Sequence, residues 1–316
     1  MPDFLHNDPE FKDLLAIVST GMGIDTAMVE KDYWIMHTLY GLNLLGIEFE
    51  LKGGTSLSKG FGLIHRLSED IDIHIKTNYG LATKGKEDKP RVKEARKAFY
   101  DKLAQEIKID GIIKVERDTE FDDIDKYRSG GIRLQYTTYT PALIGLKEGI
   151  LLEVGFDTVT PNIPIDISSW VLDYAKSFND SFKYIDNTAP SVLCYHPGYT
   201  FVEKLQTIVN KYRKESENTN KPNNLMRQYY DVYCLLNNKN VLDFIGTTEY
   251  LAHKKERFQG ADKDIPLIEH PALLLTDIEI RKSFKKHYKD SSNLYYKEQP
   301  DFEVILSRIK EHIHKF

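Results

Sequence analysis

Residues 47–76 restrict the fold more than any other segment, because two strand patterns there enclose a double glycine and a short helical stretch. The first pattern, IEFELK, ends at Gly53 and Gly54. The segment SLSKGFG that follows can form only a short helix, since its own glycines weaken a longer one. The second pattern, DIDIHIK, alternates polar and apolar residues, which is typical of a strand with one buried face. The order strand, glycine turn, short helix, strand therefore defines the first part of a sheet.

Further helices and strands are predicted on both sides of this segment. Apolar residues at helical spacing indicate helices at 26–45 and 91–108, and GIIKVER, GGIRLQYTTY and GILLEVGFD indicate strands. This order favours a small mixed sheet with helices on one side. The pattern becomes helical from about residue 198, so the predicted class is α+β: a mixed-sheet domain over residues 1–190, then a helical-bundle domain over residues 191–316.

Composition excludes several classes of protein. The apolar fraction of 41% and charged fraction of 29% are those of a folded globular chain. No uncharged apolar run approaches the roughly 18 residues of a membrane-spanning helix, and the N-terminus has no secretory pattern. Two cysteines are too few for a disulfide framework. We therefore expect a cytoplasmic protein without a membrane partner; at a net charge of -5, nucleic acid would bind only to local basic patches.

A predicted metal site lies on the second strand. Asp70 and Asp72 are two residues apart, so their side chains point to the same face. Chemistry on a nucleoside triphosphate needs divalent metal held by hard oxygen ligands, usually one or two carboxylates plus phosphate oxygens. Glu153 is the third candidate ligand, because a lone charge in an apolar strand is costly unless it is paired or metal-bound. Its alternative is a pair with a core lysine or arginine. The pattern predicts two Mg²⁺ ions on these three carboxylates.

The glycine turn is the predicted phosphate site. Gly53 and Gly54 permit close approach of the backbone to a triphosphate, and Thr55 and Ser56 add hydroxyls and amides at a helix start. Two further candidates, Lys59 and Ser68, flank the motif. Ser68 is expected to orient the carboxylates or bind phosphate, or alternatively to cap the turn before the strand. The glycine turn alone and the aspartate pair alone are weak indications of a nucleotide site. Their order along the chain makes the indication much more specific.

Five stretches in order resemble the AbiEii/AbiGii-type nucleotidyltransferases, bacterial toxins of abortive-infection and toxin–antitoxin systems that are related to the MenT toxins. They are VEKDYW (29–34), KGGTSLSK (52–59), RLSEDIDI (66–73), FVEKLQTI (201–208) and RQYYDVYCL (227–235). The resemblance implies a polymerase-beta-like minimal nucleotidyltransferase fold. It also implies metal on Asp70 and Asp72, and phosphate at Gly54, Thr55 and Ser56.

Two later residues enter through the same resemblance. It implies that Lys204 contacts the triphosphate and that Asp231 completes the pocket. At about 100° per residue, Lys204 lies on the flank of its helix's apolar stripe, at the edge of the packed face. Asp231 lies off its own stripe, and its structural alternative is an i,i+4 pair with Arg227. The family's last motif often reads Arg-Asp ahead of the final aspartate, whereas here Gln-Tyr-Tyr separates Arg227 from Asp231. This difference weakens the expected role of Arg227 more than that of Asp231.

The sequence says least about the acceptor, the molecule that would receive the transferred nucleotide. Two basic stretches favour RNA, through phosphate contacts and, in the second, stacking on Phe284 and Tyr288; solvated helix faces are the alternative. They are residues 84–97 (Lys84, Lys86, Lys89, Arg91, Lys93, Arg96, Lys97) and RKSFKKHYK at 281–289. The resemblance implies a tRNA 3′ end as acceptor and an antitoxin as partner. Two alternatives stay open: transfer to a protein hydroxyl, and a non-catalytic module that binds nucleotide or a partner on the same fold.

Overall fold

The chain divides into two compact units. The computed structural model describes residues 2–76, 81, 89–157, 159–178, 183–217, 223–260, 263 and 265–316, with the backbone alone at 214–217 and 223–224. The sheet unit comprises residues 1–60 and 67–195, and the helical unit comprises 61–66 and 196–316. The predicted boundary is residue 190. In the structure the sheet unit extends to Tyr195, because Ala189–Tyr195 is a strand of the sheet. Residues 61–66 belong to the helical unit.

In the described residues, seven strands form one mixed sheet in the order β3-β4-β5-β2-β1-β7-β6. β1 is parallel to β7 and β2 is parallel to β5, while every other neighbouring pair is antiparallel. The strands are β1 (Phe49–Lys52), β2 (Asp70–Ile75), β3 (Ile112–Asp118), β4 (Ser129–Tyr136), β5 (Ile150–Gly155), β6 (Asn162–Ile167) and β7 (Ala189–Tyr195). The predicted α+β class is confirmed. Strands β6 and β7 were not predicted.

The sheet unit contains a long, largely buried helix, α2. It begins after Asp25, whose side chain accepts a hydrogen bond from the Ala27 amide, and it packs against α1, α5 and β7. The helices are α1 (Phe11–Met22), α2 (Thr26–Leu44), α3 (Gly53–Thr55, continued by a π turn at Ser56–Gly60), α4 (Pro90–Glu106) and α5 (Trp170–Lys176). Because α2 is enclosed on nearly every side, even its charged residues lie in the interior.

Three consecutive charged residues of α2, Glu30, Lys31 and Asp32, are at most 1% exposed. Buried charges are costly unless they are paired and hydrogen-bonded, and each of these has such partners elsewhere in the sheet unit. Their partners are the amides of Tyr139 and Thr140 for Glu30, the carbonyls of Lys147 and Gly149 for Lys31, and Lys59 Nζ with the Trp170 amide for Asp32. Glu30 and Lys31 therefore hold the connection between β4 and β5 to α2, and Asp32 holds Lys59 and the start of α5.

The helical unit has its core between α6 and α7, and α9, α11 and α12 pack against them. The predicted apolar stripe of α7 is fully buried, with Leu225, Tyr229, Val232 and Leu236. In the predicted stripe of α6, Phe201, Leu205 and Ile208 are buried, and Tyr212 is half-buried. The helices are α6 (Pro197–Glu217), α7 (Asn223–Leu236), α8 (Lys239–Phe244), α9 (Thr248–Arg257), α10 (Pro271–Leu274), α11 (Ile278–Asp290) and α12 (Phe302–His312). Throughout the described ranges, every helix is too short or too polar to cross a membrane.

Candidate active site

Strand β2 presents two carboxylates on one face of the sheet. Asp70 and Asp72 are half-buried, whereas Ile71 and Ile73 between and beyond them are 0% exposed on the other face. The alternation of DIDIHI thus places the apolar residues in the core and leaves both aspartates accessible from one side. This is the arrangement that the period-two pattern predicts.

Glu153 completes a row of acidic groups. It is the register partner of Asp72 on the parallel strand β5, so the two side chains share a face of the sheet. Burial, followed by the charges of Asp72 and Asp70, raises the pKa of Glu153 to about 8, although Lys147 and Lys52 act in the opposite direction. The site therefore concentrates more negative charge than its own lysines offset.

The glycine turn packs directly on this row. Gly53 has φ +72, and a Cβ atom there would lie 2.2 Å from Asp72 Oδ2, so only glycine fits without displacing the carboxylate. The next turn is tied down as well, because Thr55 Oγ1 donates to the Asp70 carbonyl at 2.7 Å. Lys52, the last residue of β1, is the register partner of Asp72. Turn and carboxylate strand therefore form one rigid substructure.

The side chains predicted to bind phosphate lie mostly inside the protein. Thr55 is 1% exposed and Ser56 is 0% exposed, next to Cys194, whose thiol pKa is raised to about 11 by burial. The Lys59 ammonium lies 2.9 Å from Asp32 Oδ1 and 4.7 Å from the centre of the Trp170 ring. Gly53 and Ser68 are half-buried, and Gly54 is buried. Contact between these groups and a phosphate stays a prediction, and for Thr55, Ser56 and Lys59 it requires a rearrangement of the side chain.

Lys147 is a neighbour of the carboxylates that sequence reasoning missed. Its Nζ atom lies 3.3 Å and 3.4 Å from the two carboxylate oxygens of Asp70. Its backbone is held on both sides: the amide donates to Glu69 Oε2 at 2.8 Å, and the carbonyl accepts from Lys31 Nζ at 2.9 Å. Burial lowers the pKa of Lys31 to about 8, and the charges of Glu69 and Asp70 oppose this shift. The sequence feature that points to this segment is the charged triplet of α2, because its Lys31 bonds the Lys147 carbonyl.

In the helical unit, Asp231 is the centre of a buried ion cluster. Arg66 holds it with two hydrogen bonds of 2.8 Å and 2.7 Å, and Lys204 Nζ lies 2.9 Å from Oδ2. Burial alone would raise the pKa of the Asp231 carboxyl, but these two cations hold it below the usual value. Among the described residues its ion-pair partners are Arg66 and Lys204, so the predicted structural alternative, an i,i+4 pair with Arg227, is wrong. The catalytic roles of Lys204 and Asp231 stay predictions.

The two basic stretches differ from expectation. On α11, Phe284 is 6% exposed and Tyr288 is 3% exposed. They pack in the core of the helical unit and so cannot stack on nucleobases as predicted. In the first stretch, Arg96 is 0% exposed and donates to the Lys126 carbonyl, and Lys84 and Lys86 lie outside the described residues. Arg91 is exposed, and so are Lys286 and Lys289 of α11.

The donor set fits magnesium better than it fits a metal held entirely by protein. Within the described ranges there is no group of three or more histidine, cysteine, aspartate or glutamate side chains already arranged around one point. Mg²⁺ is usually bound by one or two carboxylates, with phosphate oxygens and water completing its six ligands. The carboxyl groups of Asp70, Asp72 and Glu153 are hard oxygen donors. The raised pKa of Glu153 indicates an excess of negative charge around them. The carboxylate row therefore suits a metal that arrives with a triphosphate.

The mixed sheet is consistent with a nucleotidyltransferase fold. The family model "Nucleotidyl transferase AbiEii toxin, Type IV TA system" matches residues 37–308, which is most of the chain. The chain therefore belongs to the AbiEii family of nucleotidyltransferase toxins, as the five sequence stretches predicted. Membership makes it an enzyme, and it implies a nucleotide substrate and an antitoxin partner. Comparison with curated proteins and with solved structures finds no match.

Proposed function

We propose that the protein transfers a nucleoside monophosphate from an NTP to the 3′ hydroxyl of an RNA, with tRNA as the substrate class, in a magnesium-dependent reaction. The observation that carries the proposal is the row formed by Asp70, Asp72 and Glu153, with the Gly53 turn packed against it. Two adjacent half-buried aspartates repel one another, and a divalent cation relieves that repulsion.

The reaction is an in-line displacement at the α-phosphorus. The acceptor hydroxyl oxygen forms a new bond to that phosphorus while the bond from phosphorus to the α,β-bridging oxygen breaks. Pyrophosphate leaves with the bonding electron pair, and the hydroxyl proton passes to solvent or a nearby base. Bound magnesium would supply Lewis-acid polarisation of the phosphoryl oxygens and neutralisation of developing charge.

The chain's own residues would position these groups. Asp70 and Asp72 would hold the metal, and Glu153 would join them after losing the proton that its raised pKa lets it keep near neutral pH. The backbone at Gly53 would approach the triphosphate, since no side chain stands in the way. Family resemblance implies that Lys204 would contact the triphosphate; within the helical unit Asp231 pairs with both its ammonium and Arg66.

The acceptor is tested by incubating purified protein with each α-labelled NTP, Mg²⁺ and total bacterial RNA. The expected result is label in a discrete RNA species with the wild type and none with Asp70→Asn or Asp72→Asn. Asp243→Asn is the matched control, because Asp243 is an exposed aspartate paired with Lys239 on α8 of the helical unit. Label in protein with none in RNA would refute the RNA acceptor and leave the transfer chemistry intact. No label in either would refute the proposal.

A further inference from the structure

Lys147 lies in the segment between β4 and β5, outside every regular helix and strand, yet its position is tightly determined. Its amide and carbonyl bond to Glu69 and Lys31, and both of those side chains are at most 2% exposed. Lys31 also donates to the Gly149 carbonyl, two residues further along. Two buried charged groups are costly to maintain, and here they fix one short stretch of backbone.

The Lys147 side chain is directed at the carboxylates rather than into solvent. It passes over the Phe121 ring, with Nζ 5.1 Å from the ring centre, and reaches both oxygens of Asp70. The side chain is 35% exposed and that of Asp70 is 24% exposed, so both are open to a ligand on this face. The ammonium is therefore preplaced beside a metal-binding carboxylate.

The contact with Asp70 is loose enough to be exchanged. Its N–O distances of 3.3 Å and 3.4 Å exceed the 2.7 to 2.9 Å of a strong charge-assisted hydrogen bond. By contrast, Lys59 and Lys204 lie 2.9 Å from fully buried aspartates. Of these three lysines, Lys147 is the one that pairs with a partly exposed carboxylate, so its ammonium can turn to a ligand without leaving a fully buried partner.

We propose that Lys147 is a substrate-binding residue of this enzyme: its ammonium balances Asp70 in the free protein and donates hydrogen bonds to the phosphate oxygens of the bound metal–nucleoside triphosphate. The inference rests on the proposed function, since it needs a triphosphate at the carboxylate row. A lysine suits this task because its compact charge and three rotatable donors follow oxygens that move. Lys147 donates hydrogen bonds only, so no proton or bond changes hands at its side chain.

The test measures binding, not turnover. Affinity for a non-reactive α,β-methylene NTP with Mg²⁺, and affinity for Mn²⁺ alone, are measured on the wild type, Lys147→Gln and Lys147→Arg. The control is Lys114→Gln, because Lys114 is an exposed lysine of β3 paired with Glu116. Lys147→Gln should weaken nucleotide binding by roughly 10- to 100-fold, the usual effect of losing a hydrogen bond to a charged group. It should leave Mn²⁺ affinity equal or higher, because a competing cation has been removed.

Lys147→Arg should recover part of the nucleotide affinity, and Lys114→Gln should match the wild type. These variants should fold, because the buried contacts at this position come from the backbone; equal melting temperatures check this. Wild-type nucleotide affinity in Lys147→Gln would overturn the inference, even if RNA is still labelled. Nucleotide binding that depends on Lys147 without transfer to any acceptor would overturn the proposed function and leave this inference standing.

Discussion

Replacing Glu153 by glutamine should stabilise the free protein, by an amount that grows with pH. The rise of the Glu153 pKa from 4.5 to about 8 corresponds to an upper limit of roughly 5 kcal/mol, at about 1.4 kcal/mol per unit. Because part of the side chain lies near solvent, where charges are screened, we expect about 2 to 4 kcal/mol. The sign follows from proton binding: between these two pKa values the folded protein keeps a proton that the unfolded chain has lost.

The assay is urea unfolding of wild type and Glu153→Gln, without metal, at intervals from pH 4.5 to pH 9. The wild type should lose stability relative to the variant as pH rises through this window, and the difference should level off above pH 8. Histidines that titrate in the same window, such as His37, affect both proteins equally and cancel in the difference. Mg²⁺ should close the gap above pH 7, since a bound cation stabilises the ionised carboxylate. A difference that stays constant with pH would show that Glu153 does not keep its proton in the folded protein.

Two further substitutions test the turn and the buried ion cluster. Gly53→Ala should lower activity by about 100-fold or more, because the added Cβ atom displaces Asp72. Gly46 is the control, because it has a similar φ of +69 and open space around its Cβ position. Gly46→Ala should therefore show only the backbone strain of about 1 kcal/mol. Wild-type activity in Gly53→Ala would contradict the turn's role. Asp231→Asn should cost about 3 to 5 kcal/mol in urea unfolding, because it leaves Arg66 and Lys204 with one buried partner charge fewer, whereas exposed Asp243→Asn should cost less than about 1 kcal/mol. Equal unfolding curves for Asp231→Asn and the wild type would contradict the cluster.

The parts of the fold that were predictable depend on local signals. β1, the glycine turn and β2 follow from alternation and from Gly53, which needs a backbone conformation that other residues avoid. Glu153 was identified from the cost of a charge in an apolar strand. Its place beside Asp72, however, depends on the parallel pairing of β2 with β5, which no local pattern specifies.

The parts that were missed depend on distant contacts. Lys147 lies in an irregular segment, and its position is set by Lys31, which is 116 residues away in the chain. The pairing of Arg66 with Asp231 spans 165 residues. Phe284 and Tyr288 look like stacking residues among lysines, but helical geometry turns both into the core. In each case the partners of a charged or aromatic residue come from tertiary packing, which its neighbours in sequence do not specify.

The most direct test of the central claim is to follow which phosphate of the NTP reaches the acceptor. Parallel reactions with α-labelled and γ-labelled NTP, on wild type and Asp72→Asn, are resolved into acceptor, nucleotide and pyrophosphate. Nucleotidyl transfer predicts α label in the acceptor and γ label in released pyrophosphate, both lost in Asp72→Asn. Label from the γ position in the acceptor would mean phosphoryl transfer, and would contradict nucleotidyl transfer at the Asp70–Asp72–Glu153 row.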